Sequence, residues 1–167
     1  MSKVLKMGRL PLLSAVLMLL TACGFQLQTK VDLPAEMQRT KLEVQSPYSD
    51  FARRLETHLE QNGVQVVTGP GEAAVLEVPV NSVRKEIQSI GDSARVREYL
   101  IRHTVQFRLI DKEGVEIIPL QSFEQSRIYS FNEQDILAAE REEEFLRKDL
   151  SDATARMVVR RLGTYGK

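Results

Sequence analysis

A single cysteine, Cys23, ends the tetrapeptide Leu20-Thr21-Ala22-Cys23. Lys3, Lys6 and Arg9 precede an apolar run of 11 residues, Leu10 to Leu20. A basic flank, a short apolar stretch and small residues before a cleavage point form a secretory leader. The run falls short of the ~20 residues a membrane-spanning helix needs. The chemistry expected at Cys23 is thiol acylation: a lipoprotein signal peptidase cuts before it, and the mature N-terminus carries an S-diacylglycerol and an N-acyl chain. One acyl chain binds membranes only marginally, at roughly 0.8 kcal/mol per buried CH₂, so three chains make a lasting anchor. Gly24 follows, where an aspartate would favour the inner membrane. The expected site is therefore the periplasmic side of an outer membrane.

A second set of residues suits anion binding. Arg84 and Lys85 close one strand-like segment, and Arg95, Arg97 and Arg102 open the next. Guanidinium groups grip phosphate in a bidentate fork. If the two segments form a hairpin, these five side chains gather near its tip as a binding site for a phosphorylated glycolipid.

No catalytic constellation accompanies them. The two histidines, His58 and His103, have no partner motif. His103 alternates with apolar neighbours, as expected of a hydrogen-bonded, partly buried histidine. No Cys/His cluster offers a zinc site, and there is no GxSxG, P-loop or GxGxxG. Neither enzyme activity, a metal, nor any cofactor beyond the lipid on Cys23 is expected.

Removing residues 1–22 takes away three basic and no acidic residues. It leaves 145 residues with 20 basic and 23 acidic side chains, a net charge near −3. That balance argues against bulk nucleic-acid binding. With Cys23 acylated, no disulfide is available. A chain of this length forms one domain with its own core. The expected organisation is a leader at 1–22, a lipidated cysteine and tether at 23–39, one domain at 40–163 and a tail at 164–167. Phe25, Leu27, Val31 and Leu33 suggest that the tether packs in part.

The elements that must position these residues follow from periodicity. Lys41-Leu42-Glu43-Val44 is a short strand. Ser46-Pro47 reads as a helix start. Phe51, Leu55 and Leu59 form an apolar stripe with Tyr48 and Ala52 beside it, and Asn62-Gly63 closes the helix. Val64-Gln65-Val66-Val67 is extended, and three long strands follow at residues 73–89, 96–110 and 115–129. In the first, the apolar phase switches between Val80 and Val83, which predicts a bulge, with Pro79 at it or on an edge. In the second, Tyr99, Ile101, Val105, Phe107 and Leu109 share one face. Arg102, Thr104, Gln106 and Arg108 share the other. A long helix is expected over 133–162, with Leu146, Leu150, Ala153 and Met157 as its stripe, Val158 and Leu162 alongside, and the charge run 140–144 facing water. The order predicts an α/β two-layer sandwich: two helices on one face of a mixed, mostly antiparallel four-stranded sheet whose strand ends outrun the helices.

Taken together, the residues resemble the LptE family of lipopolysaccharide-assembly lipoproteins. The resemblance rests on Cys23-Gly24-Phe25-Gln26-Leu27 with Leu33-Pro34 soon after, Leu59-Glu60-Gln61-Asn62-Gly63-Val64, and Glu98-Tyr99. It continues through Arg127-Ile128-Tyr129-Ser130-Phe131, Ile136-Leu137-Ala138 and Arg160-Arg161-Leu162. Such membership implies an α/β sandwich that sits as a plug in the lumen of the outer-membrane barrel LptD, at about 1:1. It also implies support of barrel assembly and delivery of lipopolysaccharide to the cell surface, with direct glycolipid binding. The rival readings are a free periplasmic lipoprotein that binds an anionic glycolipid or cell-wall polymer, and a lipid-anchored hydrolase.

Overall fold

Alternation from Ile101 to Ile110 gives the strand Val96–Ile110 one dry and one wet face, and the rest of the fold is built around it. The computed structural model of the protein describes residues 30–91 and 95–166. The expected leader, Cys23, Phe25 and Leu27, and the loop residues 92–94, lie outside them.

The described chain runs β1 (Arg39–Val44), α1 (Asp50–Gln61), β2 (Gln65–Val67), β3 (Ala74–Ile90), β4 (Val96–Ile110), β5 (Glu116–Ser130) and α2 (Ile136–Leu162), after a 3-10 turn at Ala35–Gln38. The sheet order is β2-β1-β3-β4-β5. β1 pairs in parallel with β2 and β3, and β3-β4-β5 form an antiparallel meander. The α/β sandwich is as expected, with five strands rather than four. The added strand, β2, is three residues long and has no periodicity of its own; only pairing with β1 makes it a strand.

Ile101, Val105, Phe107 and Leu109 of β4 are fully buried under the helices. His103 joins them, wholly rather than partly buried. In β3, Ala74, Leu76 and Val78 face the same core. The register against β4 shifts between Glu77 and Val80, so the expected bulge is present, with Pro79 exposed on it. A missing N–H costs nothing there, because β1 ends at Val44.

Both helices begin three residues later than expected. The Ser49 hydroxyl, not Ser46, caps α1 by accepting the Ala52 N–H at 3.2 Å. Residues 46–49 form a turn, which leaves Tyr48 91% exposed rather than beside the stripe of Phe51, Ala52, Leu55 and Leu59. Gly63 closes α1 at φ 92°, the left-handed conformation expected of it. In α2, the Asp135 carbonyl accepts the Ala138 and Ala139 N–H groups, so Glu133 falls outside the helix. The buried stripe of α2 is also rotated from expectation. Leu150, Thr154, Ala155, Val158, Val159 and Leu162 are buried, whereas Ala153 and Met157 are half-exposed. The cause is that α2 packs against α1 as well as the sheet, which widens and turns its dry face.

The core has two parts. The larger lies between α1, α2 and β3–β5, and Val31 and Leu33 pack against it while Met37 is buried within it. The smaller joins Ile101, Tyr129, Ala139 and Leu150, with Tyr99, Phe131 and Leu146 at its border. The first half of α2 thus follows the long strands nearly to their ends. Beyond it, Ile87 and Ile90 are exposed.

Candidate anion-binding site

The five basic residues of the hairpin sort by strand parity. Arg84 and Arg102 stand opposite each other on the open face of the sheet, away from the helices. There Glu86 accepts from the Arg102 Nε and Nη2 at 3.2 and 3.3 Å, and Glu124 accepts from Nη1. These carboxylates raise the Arg102 pKa, Glu86 first. Arg108 is held on the same face by Glu77 at 2.6 Å and Glu116 at 3.6 Å. On the open face Arg102 and Arg108 are thus matched by carboxylates, whereas Arg84 has none within ion-pair distance among the described residues.

Lys85 points the other way, under α2. Its Nζ donates to Glu143 Oε2 at 2.6 Å and lies 4.0 Å from the centre of the Tyr99 ring. Tyr129 OH donates to the same oxygen at 2.7 Å, and Arg147 Nε donates to Oε1 at 2.9 Å. Burial opposes the Glu143 charge, but these donors outweigh it and pull its pKa down to about 2. Lys85 is correspondingly raised: burial lowers it, and the Glu143 and Tyr129 partners more than compensate. This is a structural ion cluster, and Lys85 is already neutralised within it. Glu143 was hidden in the sequence by its place in a charge run; its neighbours 140, 141, 142 and 144 are exposed as expected.

Arg95 and Arg97 remain, and both line one cleft at the hairpin end. About 900 Å³ in volume, it is bordered also by Ser89, Glu98, Phe131 and Gln134. Arg95 Nη1 donates to Glu133 Oε2 at 2.9 Å, which ties the hairpin to the β5–α2 connection. The Arg97 side chain crosses Gly91, where a Cβ would sit 2.7 Å from its Nε. The Phe131 N–H donates to the Arg97 carbonyl at 2.7 Å and fixes the cleft floor. Glu98 and Glu133 also line the cleft, so Arg97, with no carboxylate within ion-pair distance among the described residues, is the guanidinium left beside the Phe131 ring to meet an anion carrying an apolar or sugar body.

The histidines have structural partners. His58 Nε2 meets Asp152 Oδ1 at 2.8 Å, joining α1 to α2, and burial with nearby Arg156 lowers its pKa. His103 Nε2 meets Asn81 Oδ1 at 2.9 Å, and its ring stands edge-on to Phe51. Among the described residues no group of three or more His, Cys, Asp or Glu side chains is placed to hold a metal. No helix among them is long and apolar enough to cross a membrane.

The model of the lipopolysaccharide-assembly family LptE matches residues 37–162, from the 3-10 turn to the last residue of α2. An LPS-assembly lipoprotein LptE of Photorhabdus laumondii is 29% identical over 93% of this chain and 85% of its own length. That of Yersinia pestis is 32% identical over 93% and 75%. Among solved structures, lipoprotein B of Nitrosomonas europaea superposes with a TM-score of 0.71 at 27% identity, covering 85% of this chain and 92% of that one. A minor lipoprotein of Acinetobacter baumannii, at 24% identity, shares the fold with a TM-score of 0.65 over 77% and 92%. The matched span takes in both helices and all five strands, and on that ground the chain belongs to the LptE family of lipopolysaccharide-assembly proteins.

Proposed function

We propose that this protein is the lipid-anchored plug of an outer-membrane lipopolysaccharide translocon. It is held by N-acyl and S-diacylglycerol chains on Cys23, sits in the lumen of an LptD-type barrel at 1:1, and supports both barrel assembly and delivery of lipopolysaccharide. Relatives named as LPS-assembly lipoproteins support the general role.

The observation that carries the plug reading is the polarity of the long axis. β4, β5 and α2 all run between a base, where the described chain begins, and the hairpin tip. Their 15, 15 and 27 residues make an axis of roughly 40–50 Å. Barrels of the outer membrane have an apolar band only ~25 Å tall and a polar interior. A domain anchored at one end is long enough to span such a lumen, and its open sheet face, with Arg102 and Arg108 matched by Glu77, Glu86, Glu116 and Glu124, suits a wet wall. Lipopolysaccharide is assigned to the tip cleft through Arg95 and Arg97. Arg84, Lys85 and Arg102, expected beside them, are turned to other faces or engaged by carboxylates.

Co-purification tests the plug. Outer membranes are solubilised in mild detergent and the protein is captured by a C-terminal tag and washed in high salt. One dominant β-barrel at about 1:1 is the expected result. A correctly localised lipoprotein with no barrel attached would leave a free periplasmic glycolipid-binding protein instead.

A further inference from the structure

At the base, opposite the tip, the ends of both helices and residues 30–31 enclose a second cleft of about 260 Å³. Lys30, His58, Gln61, Asn62, Arg156 and Arg160 line it. Lys30 and Arg160 also border an adjoining depression with Val31, Asp32 and Thr164, so the two cations stand at the junction of both hollows.

The charges are unevenly matched. Asp152 accepts from both His58 and Arg156, and the other nearby carboxylate, Asp32, borders the adjoining depression rather than the cleft itself. Lys30 and Arg160 are exposed, and neither has a carboxylate within 4 Å among the described residues. Helix C-termini ordinarily repel anions through their free carbonyls. Here those groups are largely occupied. The Asn62 and Gly63 N–H groups bond to α1 carbonyls, and the Gly163, Thr164 and Tyr165 N–H groups bond to α2 carbonyls. What the cleft presents is thus a net positive, hydrogen-bonding hollow.

Its position names the occupant. Val31 N–H donates to Asn62 Oδ1 at 2.7 Å, which locks the incoming chain to the cleft wall. Only six residues lie between Cys23 and Lys30, a reach of at most ~25 Å. We propose that this cleft binds the phosphate of a glycerophospholipid headgroup in the bilayer that holds the anchor. Lys30 and Arg160 grip the phosphate oxygens and Gln61 hydrogen-bonds the glycerol side. The inference rests on the anchoring of Cys23, and it adds a second, headgroup-specific attachment at the anchored end of the domain.

The test uses the mature acylated protein reconstituted in vesicles of phosphatidylethanolamine and phosphatidylglycerol. The protein is released directly into a mass spectrometer and the retained phospholipid is counted. One retained phospholipid per protein is expected. Retention should fall at least tenfold in the Lys30→Ala, Arg160→Ala double variant and in Gln61→Glu, and stay unchanged in Arg95→Ala, Arg97→Ala at the tip. Equal retention by the base and tip variants would overturn the proposal. Displacement of the lipid by millimolar inorganic phosphate would also overturn it, by reassigning the cleft to free phosphate. The same spectrum reports the acyl mass on Cys23, so a missing anchor and an unoccupied cleft are read separately.

Discussion

At the scale of the residue, Glu143 has the greatest electrostatic consequence. Its carboxylate collects Lys85, Tyr129 and Arg147 from three elements. Because folding depresses its pKa from 4.5 to about 2, it stabilises the fold fully above pH ~4.5, and that contribution is lost as pH falls toward 2. His58 and His103 act in a separate window. Burial lowers both below 6.5, so the unfolded chain binds more protons and stability declines as pH drops through 6.5. Urea unfolding of the wild type at pH 7.5, 5.5 and 3 should therefore show two successive losses. Glu143→Gln should cost about 1 kcal/mol at neutral pH, since it removes the charge from the half-buried carboxylate that Lys85, Tyr129 and Arg147 share. It should also flatten the second loss while sparing the first. An unchanged acid profile in that variant would mean that Glu143 is not the group responsible.

Gly163 acts at the same scale through shape. A Cβ there would overlap Val31 Cγ1 and press on the Asp32 carbonyl. Gly163→Ala should destabilise the protein by roughly 1–3 kcal/mol by overpacking, visible as a lower melting temperature. Val31→Ala in the same chain should restore part of the loss, because it removes the methyl that clashes. Additive losses in the double variant would contradict that contact.

At the scale of the element, the start of α1 separates a propensity signal from the cap that forms. Ser46-Pro47 has the composition of a helix start, yet Ser49 caps the helix because its hydroxyl also accepts from Asn81 Nδ2 at 2.9 Å on β3. A tertiary partner thus decides between two nearby serines. Ser49→Ala should cost about 1–2 kcal/mol and Ser46→Ala a few tenths at most, a contrast read by chemical denaturation. The long strands were legible because half of each faces water and alternation survives, as Tyr99 to Leu109 illustrate. The stripe of α2 was less so. A helix packed on a sheet and a second helix buries a wide arc, and Thr154 and Ser151 belong to that arc while Met157 does not.

At the scale of the whole molecule, the two ends carry different basic clefts about 40 Å apart along α2, by its 27 residues at ~1.5 Å each. The tip cleft predicts that Arg95→Ala, Arg97→Ala weakens binding of purified lipopolysaccharide about tenfold or more, with circular dichroism unchanged. Arg84→Ala, on the open sheet face, should leave affinity within twofold. Equal effects from both would place the glycolipid elsewhere than the tip.

The residues alone determined what depends on local pattern. The apolar period of β4, the bulge near Pro79, the left-handed Gly63 and the charge balance could all be read without a fold, because each is set within a few residues of chain. The family was legible for a similar reason: the resemblance rests on short runs of this chain, from Cys23-Gly24 to Arg160-Arg161-Leu162, each readable locally. Tertiary structure alone decided which basic residues are available. Arg84, Lys85, Arg95, Arg97 and Arg102 look equivalent in one dimension. Strand parity sends them to two faces and a tip, and carboxylates distant in sequence, Glu124, Glu133 and Glu143, determine which are already matched. The base cleft was invisible for the same reason: Lys30 and Arg160 lie 130 positions apart, and only the docking of residues 30–32 against the end of α2 makes them neighbours.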